Sequence, residues 1–306
     1  MPNVVVAIPT FRRPQSLTRL LAALEKLDTA AAVTVIVADN DSEKHEGLDA
    51  CGKLTAYRWP LDPFIAPERG IANVRNALVE RALTHECDFI AMLDDDEWPD
   101  RLWLDAFLRA QAETGADALH GCILREFETM PGLIAARLDG IKPMHGLTGA
   151  VDMIPGTGNV IFRRACFADM PRPCFDPAFA LCGGEDSDFF ERLRRQGRRF
   201  AWSEEAVVHA WVPASRGNLK WALSRAYSVG NSDMRVFLKY PQTAAAHGIE
   251  LAKIAGALLL SPLLFVILGG VSNRAVDALR KLFRAAGKIA AFRGRHYQEY
   301  TVIHGT

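Results

Sequence analysis

Apolar runs and helical patterns alternate in the first half of the chain. Residues 3–9 (NVVVAIP) and 33–39 (VTVIVAD) are rich in β-branched residues, as is typical of strands that are buried on both faces. Pro14, between these runs, suits the first position of a helix. The apolar residues that follow it recur at helical spacing and predict one buried helical face: Leu17, Leu20, Leu21 and Leu24.

The same alternation continues to residue 93. Residues 55–59 (TAYRW) predict a weaker third strand, residues 68–84 predict a helix, and residues 87–93 (CDFIAML) predict a fourth strand. Strands that alternate with helices favour an α/β fold with a mostly parallel sheet and right-handed crossovers. Because ligands of such sheets bind beyond the carboxyl ends of the strands, we expect the functional site at that edge.

Acidic residues follow the fourth predicted strand directly, in the stretch AMLDDDEWPD (91–100). Acids after a strand often cap the next helix, which here would begin near Pro99. Three consecutive aspartates favour another interpretation, because closely held carboxylates repel one another unless a cation compensates. In an extended chain Asp94 and Asp96 point the same way and Asp95 points oppositely. Since Mg²⁺ and Mn²⁺ prefer oxygen ligands, and Mg²⁺ commonly takes one or two carboxylates beside phosphate, the pattern indicates a metal–diphosphate site.

The composition limits the possible classes of function but does not identify one. The 306 residues hold 36 basic and 36 acidic side chains, so the charge balance gives no reason to expect a nucleic-acid partner. The six cysteines are scattered without a CxxC pair, which is typical of reduced thiols in a cytosolic protein. The first ten residues lack a basic region and Pro9 interrupts their apolar run, so no signal peptide is expected.

The C-terminal part has a different pattern. Residues 254–273 contain no charge, and a helix of this length would span about 30 Å, roughly one bilayer core. Ser261–Pro262 and Gly269–Gly270 argue against a plain spanning rod. From Arg274 onward basic side chains outnumber acidic ones, and helical spacing separates an apolar face from a basic one. This pattern predicts a helix on an anionic membrane surface, although a helix packed on the preceding domain would also show an apolar face.

Six motifs in series resemble glycosyltransferase family 2, whose catalytic domains have the GT-A fold. They are IPTFRRP (8–14), VADNDS (37–42), RGIANVRNAL (69–78), MLDDDEWP (92–99), PGTGNVIFRR (155–164) and GGEDSDFFERLRRQG (183–197). The resemblance covers residues 3–220, and residues 209–230 are similar to the bacterial exopolysaccharide subset that includes succinoglycan-type glucosyltransferases. It implies a GT-A nucleotide-diphospho-sugar transferase fold, with a Rossmann-like sheet, followed by a helical membrane-associating segment.

The resemblance implies a nucleotide-sugar site built from strand ends and the turns beyond them. The first positions match the loop beside the uracil base, and the middle ones match an aspartate for the base or ribose and its helper. Of the last three, the arginine would face the nucleotide and the two aspartates belong to the Asp-x-Asp motif. These positions are Pro9, Thr10, Arg13, Asp39, Asp41, Arg75, Asp94 and Asp95.

The resemblance also assigns ligands for Mg²⁺ or Mn²⁺. Asp94 and Asp96 match the ends of the Asp-x-Asp motif, one toward the ribose and one on the metal. His209 lies where some relatives supply a further metal ligand or a diphosphate contact. A single histidine is more often structural, so both interpretations of His209 stay open.

The remaining motifs match the catalytic base and the acceptor side. Asp186 matches the general base of an inverting transfer, although acids at this place also suit the positive start of a helix. Glu185 would orient the acceptor. Gly156 and Asn159, in the PGTGN loop, would lie along the acceptor side.

Together these expectations give one hypothesis. Residues 1–220 form a catalytic domain, and residues 221–306 form a helical membrane-association region. The enzyme transfers a sugar from a nucleotide-diphosphate sugar, with UDP favoured by resemblance, to a lipid-linked glycan in cell-surface or exopolysaccharide biosynthesis. Two alternatives remain: a metal-dependent nucleotidyltransferase, whose glycine-rich nucleotide loop is missing here, and a noncatalytic membrane-bound scaffold, which would tolerate loss of the acidic positions.

The expected location is the cytoplasmic face of the inner (plasma) membrane. Nucleotide sugars are cytosolic, and the positive-inside tendency keeps the basic helix on the same side. One complete crossing would separate the two. We therefore predict that residues 254–273 enter and return, bending near Pro262, or lie shallowly in the cytoplasmic leaflet.

Overall fold

The computed structural model describes residues 1–129, 146–268 and 273–298. Within these residues, nine strands form one sheet. The strands are β1 (Asn3–Thr10), β2 (Ala32–Asp39), β3 (Leu61–Ile65), β4 (Phe89–Met92), β5 (Glu97–Pro99), β6 (Ala118–Phe127), β7 (Gly149–Val151), β8 (Val160–Arg163) and β9 (Phe200–Val212).

Helices cover both faces of this sheet, and three further helices follow the last strand in the described chain. They are α1 (Pro14–Leu24), α2 (Glu46–Gly52), α3 (Ile71–Thr84), α4 (Trp103–Thr114), α5 (Ala165–Ala168), α6 (Glu185–Arg195), α7 (Leu219–Lys239), α8 (Ala244–Ile267) and α9 (Asn273–Phe292). Short 3₁₀ turns occupy Pro177–Phe179 and Ala214–Arg216.

Alternating residues of β1 supply two cores. Val4, Val6 and Ile8 pack with α1 and α4 on one face, whereas Val5 and Ala7 pack with α3, α5 and α6 on the other. The four leucines predicted for the buried face of α1 are all fully buried. A strand covered on both faces needs a continuous apolar sequence, which explains the uninterrupted run in β1.

The sheet has the order β3-β2-β1-β4-β8-β6-β9-β5, and β7 pairs with β9. Strands β3, β2, β1 and β4 are parallel to one another, which confirms the expected alternation in the first half. Strand β8 runs antiparallel to both β4 and β6, and β5 and β7 run antiparallel to β9. The sheet is therefore mixed, because the second half of the chain adds antiparallel strands to a parallel core.

Two local predictions need correction. Residues 55–59 form turns, and the third strand is β3, because Tyr57 and Trp59 use their polar atoms on the end of α1. Tyr57 Oη donates to Leu21 O at 2.8 Å, and Trp59 Nε1 donates to Leu24 O at 2.7 Å. The helix expected near Pro99 begins later, at Trp103, because Pro99 lies in β5. The acidic stretch therefore leads into a strand and does not cap a helix.

The last three helices form a bundle beside the sheet. Val276 packs against Ala222 near the start of α9 and α7, and Ala291 lies with Met234 near their ends, so these two helices are parallel. Helices α7 and α9 approach so closely that a Cβ atom on Gly230 or Gly287 would meet the backbone of the facing helix. Buried small residues therefore join α9 to α7.

Helix α8 runs antiparallel to α9, because Glu250 early in α8 forms an ion pair with Lys288 late in α9. The predicted reversal near Pro262 is wrong, because the helix continues through Pro262 to Ile267. The alternative, a shallow position in the cytoplasmic leaflet, stays a prediction, and residues 269–272 lie outside the described residues.

One side of α9 is packed within the protein, since Val276 and Ala285 are buried and Gly287 lies against the backbone of Tyr227. Phe283 of the predicted apolar face is 37% exposed. The alternative of a packed helix therefore holds for one side of α9, and membrane contact of the other apolar side chains stays a prediction.

Candidate active site

The carboxyl ends of β1, β2 and β4 meet at one edge of the sheet. Thr10 pairs in register with Asp39, and β4 lies on the other side of β1. The hydroxyl of Thr10 donates a hydrogen bond to Asp95 Oδ2 at 2.8 Å. Residues far apart in the chain are therefore joined at this edge, as expected for a site on parallel strands.

The acidic stretch forms a tight turn and not an extended chain. The N–H of Glu97 donates to Asp94 O at 3.0 Å, and the N–H of Asp94 donates to Glu97 Oε2 at 3.1 Å. Asp95 points inward and is buried, while the Asp94 and Asp96 side chains are 41% and 21% exposed. The two outer aspartates are the accessible ones, and the reason is the turn rather than strand alternation.

Three arginines compensate the aspartates. Arg13 Nη1 lies 3.0 Å from Asp95 Oδ1 and 3.1 Å from Asp96 Oδ2. Arg216 Nη1 lies 3.5 Å from Asp96 Oδ2, and Arg75 Nη2 lies 3.3 Å from Asp94 Oδ1. Each aspartate of the turn therefore has a guanidinium neighbour.

Burial still shapes the protonation of this turn. It raises the pKa of Asp95 to about 6, although Arg13 opposes the shift. The pKa of Asp96 is raised by burial against the effect of Arg13. Burial also raises the pKa of Glu97 well above its usual value, with the charge of Asp94 adding to the shift. Negative charge in the turn is therefore costly without a cation.

A second acidic group stands at the start of α6. Glu185 is buried and forms an ion pair with Arg75, the same arginine that contacts Asp94. Burial raises the pKa of Glu185 to about 8 against the opposing effect of Arg75. Asp186 is half-buried, and its Oδ1 accepts the N–H of Ser187 at 2.7 Å. Arg75 therefore links the turn of β4 to the residue beside the predicted base.

The PGTGN loop lies between these two acidic groups. A Cβ atom on Gly156 would lie 3.3 Å from Asp186 Oδ2. A Cβ atom on Gly158 would lie 2.8 Å from Glu97 Oε1 and 3.2 Å from Asp94 Oδ2. Glycines let the backbone approach both carboxylate groups closely. The structure thus brings together Asp94 and Asp186, which are 92 positions apart in the sequence.

The polar residues after β2 are held mainly by protein groups. Asp39 is fully buried, and its carboxylate accepts N–H groups of Gly47 at 2.8 Å and Leu48 at 3.1 Å. Asp41 accepts Arg12 Nε at 2.7 Å, and this hydrogen bond lowers the pKa of Asp41. Because Asp39 is fully buried, a nucleotide could contact it only if neighbouring groups moved aside, so its nucleotide role stays a prediction.

Asn159 is placed differently from the expectation. It is fully buried, its Oδ1 accepts Trp103 Nε1 at 2.7 Å, and its Nδ2 donates to Cys122 O and Ala206 O at 2.9 Å each. All of the side-chain amide is therefore engaged inside the protein, between α4, β6 and β9. We correct the sequence-based assignment: Asn159 fixes the loop from within and does not line an acceptor surface.

His209 lies on β9, opposite Trp98 of β5. Its Nε2 lies 3.1 Å from Asp100 Oδ1, its Nδ1 lies 2.9 Å from Glu126 Oε1, and its ring stacks on Trp98. In the described part of the chain, no group of three or more His, Cys, Asp or Glu side chains is arranged to hold a metal ion. A metal role for His209 remains a prediction, and both ring nitrogens face carboxylates here.

Sequence reasoning missed Arg216. This residue follows the acidic turn by 120 positions, and although it lies within the family-like stretch 209–230, that resemblance assigned it no role. Its approach to Asp96 depends on the pairing of β5 with β9, which also places the N–H of Trp211 3.0 Å from Asp96 O. Only the tertiary structure reveals this contact.

Comparison with known proteins identifies the class. The family model described as Glycosyl transferase family 2 matches residues 5–166. The succinoglycan biosynthesis protein ExoM of Rhizobium meliloti (strain 1021) is 30% identical over 270 residues, which cover 84% of this chain and 83% of that protein. The chain therefore belongs to glycosyltransferase family 2 and is a glycosyltransferase. This result excludes the nucleotidyltransferase and scaffold alternatives.

Solved structures confirm the expected fold. The mannosyltransferase PcManGT of Pyrobaculum calidifontis, in complex with GDP-Man and Mn²⁺, aligns with a TM-score of 0.65 and 16% identity over 96% of this chain and 88% of that chain. Residues 1–349 of S. aureus TarS with UDP-GlcNAc align with a TM-score of 0.53 and 16% identity, over 97% and 93%. The chain spans about half, 54%, of the longer TarS structure.

Proposed function

We propose that this glycosyltransferase moves a sugar, with inversion, from a UDP-sugar to a lipid-linked glycan acceptor in exopolysaccharide or other cell-surface polysaccharide biosynthesis. The observation that carries the proposal is the PGTGN loop, which has the Asp94–Asp96 turn on one side and Asp186 on the other. Two acidic groups on opposite sides of one loop suit a reaction with a charged leaving group and a hydroxyl nucleophile.

The donor proposal draws on relatives and on the strand ends. ExoM is a succinoglycan biosynthesis protein, and TarS has been solved with UDP and with UDP-GlcNAc. PcManGT was solved with GDP-Man, so the fold itself accommodates more than one nucleotide. In this chain, Pro9 and Thr10 end β1 beside Arg13, and Arg75 reaches Asp94. We propose that these residues border the nucleotide sugar.

The acidic turn fits a divalent cation that is shared with the substrate. Asp94 and Asp96 offer partly exposed carboxylates, and Mg²⁺ commonly takes one or two protein carboxylates and completes its shell with water and phosphate. The turn alone would be an incomplete metal site, which agrees with a cation that binds together with a diphosphate. When bound, Mg²⁺ or Mn²⁺ would neutralise charge that develops on the departing nucleoside diphosphate.

Asp186 would serve as the general base. It is half-buried, and Gly156 lets the backbone of the PGTGN loop approach it closely, since an added Cβ atom would lie 3.3 Å from its Oδ2 atom. Its carboxylate would accept the proton of the acceptor hydroxyl while that oxygen attacks the anomeric carbon. The nucleoside diphosphate would then leave from the opposite face, which inverts the configuration. Glu185 is buried against Arg75, so in place of the predicted acceptor contact we propose that Glu185 and Arg75 hold Asp186 in position relative to Asp94.

Helix α8 supports a membrane-bound acceptor. Of the helices in the described residues, this one is long and apolar enough to cross a membrane, by length and composition. Only one stripe of it packs on the bundle, and large apolar side chains face outward around the rest: Leu258, Leu259, Leu260, Leu263, Leu264, Val266 and Ile267. An exposed apolar surface of this extent is typical of a membrane contact.

The packing of the bundle also determines how the apolar surface of α8 is oriented relative to the acidic turn. Because α8 is antiparallel to α9 and α9 is parallel to α7, the apolar end of α8 lies at the same end of the bundle as the start of α7. Arg216 comes three residues before α7 and contacts Asp96. The apolar end and the acidic turn would thus face the same membrane surface, where a lipid-linked acceptor would meet a cytosolic donor. We propose that residues 221–306 anchor the catalytic domain 1–220 to the cytoplasmic face in this way.

Product analysis tests the proposal. The full-length protein in lipid vesicles is mixed with a UDP-sugar panel, Mn²⁺ and a lipid-linked saccharide extract, and we expect a β-linked or α-linked glycoside of inverted configuration plus UDP. Asp186→Asn should keep UDP affinity and lower transfer by about 10²- to 10⁴-fold, the usual contribution of a general base. Asp28→Asn, the same change at an exposed aspartate after α1, is the matched control. Retained configuration, or normal turnover by Asp186→Asn, would contradict the proposal.

A further inference from the structure

Arg216 is the least engaged of the three arginines around the acidic turn. Arg13 contacts two carboxylates, Asp95 and Asp96, at hydrogen-bond distance. Arg216 has one ion pair in the described structure, to Asp96 at 3.5 Å, and its buried Nε atom has no hydrogen-bond partner there. A guanidinium carries five N–H donors in a fixed fork that suits phosphate oxygens. Most of this capacity is unused.

The charges around Asp96 explain why Arg216 lies next to Asp96 in the free protein. Asp96 lies beside Asp95 and Asp94, and burial disfavours its negative charge while Arg13 and Arg216 favour it. One guanidinium, Arg13, is shared between two carboxylates, so a second positive charge is needed nearby. Arg216 supplies this charge at the place where a cation would approach Asp96.

The backbone that carries Arg216 is fixed at both ends. Its own N–H donates to Pro213 O at 2.9 Å. On the other side, Asn218 caps α7 by accepting the N–H of Trp221 at 2.9 Å, and it donates to Ser215 O at 2.7 Å. The 3₁₀ turn is therefore locally ordered, and a long side chain on it can change partners by rotation alone.

We propose that Arg216 exchanges Asp96 for the diphosphate of the donor: it balances the acidic turn in the free protein and binds phosphate oxygens once the cation and nucleotide enter. This inference rests on the proposed function, since it requires a metal–diphosphate donor. It gives Arg216 two opposite effects. Arg216 competes with a free cation for Asp96, and it strengthens the binding of a nucleoside diphosphate that arrives with the cation.

The opposite signs make the test specific. Mn²⁺ binding is measured by electron paramagnetic resonance without nucleotide, and UDP binding by calorimetry at saturating Mn²⁺, for the full-length protein and Arg216→Gln. We expect Arg216→Gln to bind Mn²⁺ alone more tightly and UDP more weakly, each by about tenfold, within the usual range of coupling between sites. Lys220→Gln removes a nearby exposed charge from α7 and should change neither affinity.

A third variant separates charge from shape. Arg216→Lys keeps the positive charge but lacks the planar fork, so Mn²⁺ affinity without nucleotide should stay near the wild-type value while UDP affinity falls. Thermal melting of each variant checks that the fold is kept. If Arg216→Gln weakens both ligands, or changes neither, the exchange is wrong while the proposed function stands. If the wild type binds neither Mn²⁺ nor UDP, both are wrong.

Discussion

The hydroxyl of Ser232 donates a hydrogen bond to the backbone oxygen of Gly183, with 3.1 Å between the two oxygens. Ser232 belongs to α7, and Gly183 belongs to the turn before Asp186. Tyr240, just after α7, donates from its hydroxyl to Asp188 Oδ1 at 2.7 Å. The C-terminal bundle therefore holds the first turn of the helix that carries the proposed base, so α7 and α6 are joined by hydrogen bonds.

This contact predicts a position where one methyl group is damaging. Gly184 has a φ of +94°, and a Cβ atom there would lie 2.7 Å from Ser232 Cβ. Gly184→Ala should therefore destabilise the protein by about 1–2 kcal/mol for the left-handed backbone, plus about 1–3 kcal/mol for the clash. Denaturant unfolding measures the loss, and transfer should fall with it.

A matched glycine isolates the clash. Gly197 has a φ of +76° and nothing within 4 Å of an added Cβ, so Gly197→Ala should show the backbone cost alone. The double variant Gly184→Ala with Ser232→Gly should recover part of the stability, since it removes the side-chain atom that the new methyl group would meet. Equal losses for Gly184→Ala and Gly197→Ala would show that α7 does not press on this turn.

Substitution of Asn159 tests whether its side chain stabilises the interior or contacts the acceptor. Its removal leaves Trp103 Nε1 and the carbonyl oxygens of Cys122 and Ala206 without their partner. Buried groups left unsatisfied cost about 1–3 kcal/mol each, so Asn159→Gly should lose about 3 kcal/mol or more of unfolding free energy. Glycine keeps the backbone conformation, whose φ is +50°. Folded enzyme should keep the wild-type KM for the acceptor, and a raised KM with unchanged stability would restore the acceptor role.

The pKa of Glu185 predicts a pH dependence of stability. Burial raises this pKa from 4.5 to about 8, so the folded protein holds the proton more tightly than the unfolded chain does. The resulting stabilisation is complete below about pH 4.5 and is lost as the pH rises through about 8. Glu185→Gln cannot titrate. The unfolding free energy of the wild type relative to this variant should therefore decrease across that range, as measured by denaturant unfolding at a series of pH values.

Glu191 on the same helix is a control of opposite sign. Burial opposes the shift, but hydrogen bonds from Arg194 and Arg195 lower the pKa of Glu191. Its contribution is present above the unfolded pKa and is lost as the pH falls, so Glu191→Gln should differ from the wild type above about pH 5 and converge with it in acid. If the wild type instead gained stability over Glu185→Gln with rising pH, the ion pair with Arg75 would outweigh burial.

The outward face of α8 predicts that substitutions there abolish membrane binding without disrupting the fold. Leu259 and Val266 are each 74% exposed and Leu263 is 56% exposed. Changing all three to Gln removes apolar area from the proposed contact, and flotation with vesicles that contain anionic lipid should show release of the protein. Leu102→Gln, at an exposed leucine of the catalytic domain, should leave flotation unchanged. Continued flotation of the triple variant would place the membrane contact elsewhere.

Substitution is the better test here than truncation. Deleting residues after 249 would remove α9, whose Gly287 fits against the backbone of Tyr227 and whose Ala285 and Ala291 are buried. The exposed α7 surface would then destabilise the turn that Ser232 holds. A truncated protein would report on folding and on membrane binding at the same time.

Several features of the protein followed from the sequence alone. Continuous apolar runs at residues 3–9 and 33–39 require burial on both faces, which defines β1, β2 and the parallel part of the sheet. The spacing of Leu17, Leu20, Leu21 and Leu24 defines α1, because one helical face must be apolar. The acidic residues after β4 pointed to the carboxyl edge of the sheet, since the chain itself places them there. These are local rules, and each depends on neighbouring residues.

Tertiary structure decided the rest, because the deciding contacts join residues that are distant in the sequence. The antiparallel β8 inserts between β4 and β6, and the pairing of β5 with β9 brings Arg216 to Asp96. An apolar face predicts burial but not its partner: α9 packs on α7, and α8 is the helix left exposed. In the same way, the motif that contains Asn159 could be read from the sequence. Whether its amide faces a substrate or the interior depended on where Trp103, Cys122 and Ala206 came to lie.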